Sequence, residues 1–396
     1  MELLLKKLSS KIGLGLLILM ISCVPTLSKA EASVNNTTEF QYTGGIDTWT
    51  VPQTGTYRLE TWGAQGGGQV GGNGAHIAGD FQLNKGELIN LIVGGRGGLT
   101  TQGTNYSGGG GGGTFIYKNA FDAYPLIVAG GGGGQAENAY GGAGSATMSP
   151  TNSILGTGNG LGGDIGYGGK GGIDLYDYST GGGGAGWLSD GQNGILLRNP
   201  EGQGGKSPRN GGSGGISSHP SFTGFYGGFG GGGSNSDNTG AGGGGGGYTG
   251  GGGGNNYTYI NNLPTWGAGG GGGSYNSGTN QLNEAGINGG DGLVRITYLG
   301  QTPTLTGVTI NQRTIALPLG NTYQIVVTAK YSDGSTKDVT NSATYKSSNG
   351  SIATINSAGV IYGNSIGNTD MSITYKERTS SGSTLILSSR VKVTVN

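Results

Sequence analysis

Between positions 44 and 300 one residue in three is glycine; the stretch holds 86 of the chain's 96 glycines, and positions 301–396 hold 8. Glycine has no side chain to bury and loses more backbone freedom on ordering than any other residue. A segment this rich in it is either a solvated linker or an ordered array that requires the missing Cβ atoms. One in three is the collagen frequency, but collagen needs a strict Gly-X-Y period with abundant proline. The whole chain has 10 prolines, and its glycines come in runs such as Gly108–Gly113 and Gly242–Gly247. Collagen is excluded. Over the 396 residues, 21 basic side chains balance 21 acidic ones. A nucleic-acid-binding protein needs a basic excess, so no nucleic-acid partner is expected.

Residues 1–32 read as a secretory signal. Lys6, Lys7 and Lys11 form a basic start, and Ile12–Ile21 is an apolar core too short to span a bilayer. Small residues place cleavage after Ala30 or Ala32. The single cysteine, Cys23, follows the apolar core in Met20-Ile21-Ser22-Cys23, which resembles a degenerate bacterial lipobox. Removal of Cys23 with the signal is one reading; lipidation of Cys23, the only route to a membrane partner, is the other. Either way the expected location is secreted or cell-surface, and the mature chain has no internal disulfide.

Composition alone would make the glycine-rich region a disordered linker, but it contains strand-like segments. Tyr57–Trp62 alternates apolar and polar residues. Leu88–Val93, Phe115–Tyr117, Leu126–Ala129 and Leu293–Tyr298 are rich in β-branched and aromatic residues. Strands at both ends predict one sandwich domain over 36–300 whose first and last strands pair. Within it, glycine runs can form extended helices with three residues per turn that approach closely and hydrogen-bond one another. Such a polyglycine II bundle would be a rigid spacer, with the non-glycine segments as tip loops.

These residues carry a family resemblance. Phe40–Pro52, Trp62–Gly68, Leu126–Gly134, Gly242–Gly254 and Gly290–Tyr298 resemble the bacterial glycine-rich domain. That domain is similar to the extracellular glycine-rich region of the anaplastic lymphoma and leukocyte tyrosine kinase receptors. The resemblance implies an all-β fold: a jelly-roll, TNF-like β-sandwich with an inserted polyglycine II helix bundle. Related lattices in phage tail adhesins contact receptors through their tip loops. The receptors' kinase does not carry over, because no His-Arg-Asp or Asp-Phe-Gly motif occurs; Asp80-Phe81 is followed by Gln82.

Residues 304–396 predict a small C-terminal Ig-like β-sandwich. Short alternating segments, Tyr323–Tyr331, Leu385–Leu387 and Val391–Val395 among them, read as strands, and Asp333-Gly334 as a hairpin turn. Val308–Ile310, Leu317–Asn321, Ser332–Val339 and Ile352–Tyr362 resemble the bacterial immunoglobulin-like group 2 domain, whose members occur as spacers and binding modules in surface proteins. The strand at Gly367–Ile373 departs from the family pattern.

Enzyme-like motifs dissolve in the glycine background. At one-third glycine, chance alone supplies roughly nine matches to G-x-G-x-x-G, and no βαβ context surrounds any of them. Gly202–Ser207 lacks the first glycine of a phosphate loop, where Pro200 stands, and Gly211–Gly215 matches a nucleophile elbow without the strand and helix it needs. The two histidines, His76 and His219, give no zinc spacing. His76 reads as a sandwich residue, and calcium on carboxylates such as Asp174 and Asp177 stays open. The expectation is no enzyme activity, no cofactor and no metal.

What remains is aromatic and hydrogen-bonding side chains between the glycine runs, a composition like that of antibody binding loops. The candidate ligand-binding residues are Tyr176, Tyr178, Trp187, Phe222, Tyr257, Tyr259 and Trp266. The expected function is an exported, non-enzymatic binding or adhesion protein, its partner an extracellular glycan, polymer or protein receptor. The alternatives are a self-associating matrix or coat protein and, less favoured, a polysaccharide-active hydrolase.

Overall fold

The segment at 55–62 alternates strictly: Tyr57, Leu59 and Thr61 are buried, while Arg58, Glu60 and Trp62 face outward. That period of two builds a sheet with one face on a core. The computed structural model describes residues 36–396 except 100–106, 138, 155–159, 175–179, 197–201, 218–225, 237–239, 256–257, 261–262, 302 and 379–382. It gives backbone alone for 196, 258–260 and 263–265. The signal segment and Cys23 lie outside the described residues. The chain is all-β. Among the described residues its only helical turns are 3-10 turns at Pro208–Asn210 and Thr340–Ser342.

Strands β1 (Thr37–Gln41), β2 (Ile46–Thr50), β3 (Gly55–Trp62), β4 (Gly74–Leu83), β5 (Leu88–Ile92), β6 (Thr114–Tyr117) and β7 (Ile127–Ala129) open the region. Short pairs follow, β8 (Ile173–Asp174) with β9 (Ile195–Leu196) and β10 (Thr258–Ile260) with β11 (Leu263–Thr265). Strands β12 (Tyr275–Asn276), β13 (Thr279–Asn288) and β14 (Leu293–Gly300) close it. They form two five-stranded sheets, β1-β14-β3-β4-β13 and β12-β7-β6-β5-β2. The first and last strands pair, Phe40 opposite Val294. Tyr57, Leu59, Ile77, Leu91, Ile116, Ile127 and Ile296 form the core with their neighbours. Burying each large apolar side chain contributes roughly 1.5–3 kcal/mol. Strand β6 is buried at all four positions, because Phe115 and Tyr117 meet Trp187 and Tyr248 from the glycine-rich segments in a second cluster.

Those segments follow a different period. The amides of Gly108 to Gly113 donate in turn to the carbonyls of Gln135, Gly98, Gly233, Gly132, Gly95 and Gly230, at 2.7–3.0 Å. Every third amide returns to the same neighbouring segment, three residues further back. The amides of Gly242 to Gly247 also return to the same segment every third residue, here three residues further on, reaching Gly267, Gly108, Gly182, Gly270, Gly111 and Ala185. One run therefore bonds three neighbours, as a chain with three residues per turn does and a two-fold pleated strand does not. The array leaves no room for side chains. A Cβ added to Gly110 would lie 1.9 Å from the Gly244 carbonyl oxygen, and one on Gly132 would lie 1.8 Å from that of Gly72.

The C-terminal module has its own core. Its strands are β15 (Leu305–Ile310), β16 (Thr314–Leu317), β17 (Thr322–Gln324), β18 (Val327–Tyr331), β19 (Thr336–Asp338), β20 (Thr344–Ser347), β21 (Ala353–Ile355), β22 (Val360–Gly363), β23 (Gly367–Arg378) and β24 (Thr384–Val395). They form the sheets β15-β18-β19, β16-β24-β23-β20 and β17-β22-β21, packed around Val327, Ile361, Met371, Ile373, Val391 and Val393. The expected strand Tyr323–Tyr331 breaks in two. The Ile325 amide bonds the Gly359 carbonyl at 2.9 Å, and the chain changes sheets between β17 and β18. Leu385–Leu387 and Val391–Val395 instead belong to one strand, β24, paired along its length with β23. Gly334 makes the β18–β19 turn at φ +83°.

Candidate ligand-binding site

Residues 118–126 connect β6 to β7, and they are fixed from beneath. Trp187, fully buried against Phe115 and Tyr117, donates its indole N–H to the Asp122 carbonyl at 3.0 Å. Arg209 donates to the carbonyls of Ala120 at 3.0 Å and Asp122 at 3.2 Å. The Asn119 side chain accepts from the Phe121 amide at 3.0 Å. Held in this way, the loop exposes Phe121 and Tyr124, at 73% and 61%.

Tyr124 begins a stack of three rings. It lies parallel to Tyr275, 5.7 Å between centroids, and Tyr275 lies on buried Tyr248 at 4.7 Å. An exposed ring with others behind it is a fixed apolar platform with little side-chain freedom to lose on binding. Burial, with Tyr124 nearby, raises the Tyr275 phenol, and burial raises Tyr248. Both remain protonated donors at neutral pH.

Beside Tyr275 is a groove of about 270 Å³, lined by Thr147, Met148, Ser274, Asn276, Gln281 and Asn283. Its amides form a chain. Asn276 donates to the Ala78 carbonyl and to Asn283 Oδ1, both at 2.9 Å, while Asn283 donates to Gln281 Oε1 at 3.1 Å. Gln281 donates to the carbonyls of Asn276 and Gly278. Asn280 makes the bend with φ +48°, the only non-glycine residue at positive φ among the described residues. A rigid apolar ring beside oriented amides and hydroxyls suits a ligand with one apolar face and many hydroxyls.

The sequence-derived residues are placed differently. Trp187 is a correction: at 0% exposure it cannot meet a ligand, and it anchors the loop that carries Tyr124. Trp266 is half-buried and packs on Ala136, Ala139 and Ala268. Its ring lies over Gly240, whose φ is +90°. Tyr259 sits on β10 opposite Pro264. Tyr176, Tyr178, Phe222 and Tyr257 lie outside the described residues, as do His219 and Asp177. Sequence reasoning missed Tyr124 and Tyr275. The available signal was a short loop, Ala120–Pro125, carrying Phe and Tyr between two apolar strands.

A second cluster lies on the outer face of the β1-β14-β3-β4-β13 sheet. His76 stacks on Trp62 at 4.2 Å, and its Nδ1 is 2.9 Å from Glu284 while its Nε2 is 3.5 Å from Glu60. Arg295 covers the Trp62 ring at 5.1 Å and pairs with Glu39. Burial alone would lower the imidazole, but the hydrogen bonds and charge of Glu60 and Glu284 outweigh it and hold the His76 pKa above its ordinary value. His76 Nδ1 with Glu284 and Arg295 with Glu39 are paired across neighbouring strands of the sheet, as in a structural network. Among the described residues no group of three His, Cys, Asp or Glu side chains could hold a metal ion.

Residues 304–385 match the bacterial Ig-like domain (group 2). A stretch of 79 residues is 35% identical to Ice-binding protein 1 of Shewanella frigidimarina (strain NCIMB 400), covering 20% of this chain and 9% of that protein. The chain thus spans under a tenth of that relative's length.

Proposed function

We propose that this is a non-enzymatic extracellular or surface binding protein whose glycine runs, as polyglycine II helices, hold a glycan-binding platform in place. The observation that carries the reading is the anchored stack Tyr124–Tyr275–Tyr248 beside the amide-lined groove. The secretory pattern at the N-terminus, the Ig-like module and the likeness to a protein named for binding ice support a place outside the cell. Tyr124 stacks on the apolar face of a sugar ring, and Thr147, Gln281 and Asn283 bond its hydroxyls.

The test is a glycan array probed with the full chain and with Tyr124→Ala. Loss of stacking worth about 1.4 kcal/mol weakens binding about tenfold. Retention of no glycan, or equal retention by Tyr124→Ala, would overturn the reading. Concentration-dependent polymer formation without ligand would support a matrix protein instead.

A further inference from the structure

Strands β23 and β24 pair over twelve positions each and alternate, with Met371, Ile373, Tyr375, Val391 and Val393 inward. The opposite face is open to solvent, and its charge is lopsided. Lys346 on β20, Lys376 and Arg378 on β23, and Arg390 and Lys392 on β24 are all exposed there. In register, Lys346 is opposite Ser372, which is opposite Arg390, and the next row brings Lys392 beside Asp370 and Thr314. Asp370 is the one carboxylate among the described residues of this face, and it reaches Arg390 only at 3.9 Å, with Arg390 71% exposed. In a chain whose 21 basic and 21 acidic residues cancel, five cations against one carboxylate on one sheet face is a local excess that attracts an anionic partner.

The rest of the face indicates what kind of anion. Between the cations stand the hydroxyls of Ser372, Thr374, Ser388 and Thr394, and no aromatic ring lies among the described outward residues of these strands. At one end a groove of about 500 Å³ is lined by Thr314, Ser348, Asn368, Asp370, Lys392 and Thr394. Single-stranded nucleic acid is held by stacking on aromatic side chains, which this face does not supply. A polyuronate supplies carboxylates for the cations and hydroxyls for the Ser, Thr and Asn groups. We infer that the outer face of the β16-β24-β23-β20 sheet binds an acidic polysaccharide along the strands, with one residue seated in the Thr314–Lys392 groove. This site is separate from the tyrosine platform.

Binding of the full chain to polygalacturonate, with neutral dextran and double-stranded DNA as comparators, tests the inference. If each lost cation contributes what a lysine contributes near an anionic surface, the triple variant Lys346→Gln, Arg390→Gln, Lys392→Gln weakens polygalacturonate binding roughly 100-fold. Removing as many charges elsewhere, by Lys85→Gln, Lys330→Gln and Lys337→Gln, leaves it within about threefold, as does the charge-retaining Arg390→Lys. Thermal unfolding of each variant at the wild-type temperature establishes that the altered residues act at the surface. Equal losses in the two triple variants would overturn the inference, as would binding to dextran as tight as to polygalacturonate, or tighter binding to DNA. Tyr124→Ala is expected to leave polygalacturonate binding unchanged, so this result stands or falls apart from the platform.

Discussion

The glycine array makes a quantitative prediction at Gly110. A Cβ there would lie 1.9 Å from the Gly244 carbonyl oxygen, and real Cβ atoms essentially never approach below 3.0 Å. The carbonyl would have to retreat by about 1.1 Å, the difference between those distances. That same oxygen accepts from the Gly233 amide at 2.8 Å, so the retreat breaks a buried hydrogen bond. A buried amide left unsatisfied costs about 1–3 kcal/mol, and overpacking of a dense interior costs about 1–3 kcal/mol more. Gly110→Ala should therefore destabilise the glycine-rich region by roughly 2–6 kcal/mol, a large share of the 5–15 kcal/mol typical of a domain. Gly45→Ala is the control, since its nearest neighbour is Thr43 Oγ1 at 3.9 Å and its φ is not positive. There alanine restricts only the unfolded chain and should stabilise by about 0.4–1 kcal/mol. Urea unfolding followed by tryptophan fluorescence reads both, because Trp49, Trp62, Trp187 and Trp266 all lie before residue 300. Gly110→Ala within about 0.5 kcal/mol of wild type, the range of surface changes away from any packing constraint, would mean that the array has room for a Cβ at this position.

Three further outcomes follow from named contacts. Trp187→Phe keeps a ring in the second core but deletes the bond to Asp122, and should cost about 1 kcal/mol while weakening glycan binding through a loosened Tyr124 loop; unchanged array signals would separate the anchor from the site. Trp187→Ala should cost about 3–5 kcal/mol, as large-to-small core changes do, read from thermal unfolding by circular dichroism because the variant loses a reporting tryptophan. The third concerns pH. The raised His76 pKa means that its stabilisation is fully present below its ordinary value of 6.5 and is lost as pH rises through the higher folded value. Melting temperature should accordingly fall between mildly acidic and mildly alkaline pH, and His76→Gln should flatten that slope; a parallel profile for the variant would contradict it.

Residue patterning made the sandwich legible. The alternation at Tyr57–Trp62 and the β-branched and aromatic residues at 88–93 and 293–298 mark strands, because such side chains fit a pleated, half-buried surface. The pairing of β1 with β14 follows from strands at both ends of one region. The array was legible only as a requirement for absent side chains; which runs bond which neighbours depends on contacts far apart in sequence. The binding platform was less legible. Trp187 looks like an exposed loop ring because glycine surrounds it in sequence, yet Phe115, Tyr117 and Tyr248 converge on it from distant segments and bury it completely. Tyr124 and Tyr275 are 151 positions apart in the chain, and nothing local to either announces that their rings stack. In the C-terminal module the sheet change at Ile325 was hidden because both halves of Tyr323–Tyr331 alternate in the same way.

The glycine runs form an ordered, hydrogen-bonded array and are not a solvated linker. Native-state hydrogen exchange over residues 108–113 and 242–247 tests this most directly, since each of these amides is bonded to a distant carbonyl. These amides should exchange only through large-scale unfolding, as slowly as strands β3 and β4. Exchange at the rate of an unstructured chain, with β3 and β4 still protected, would contradict it.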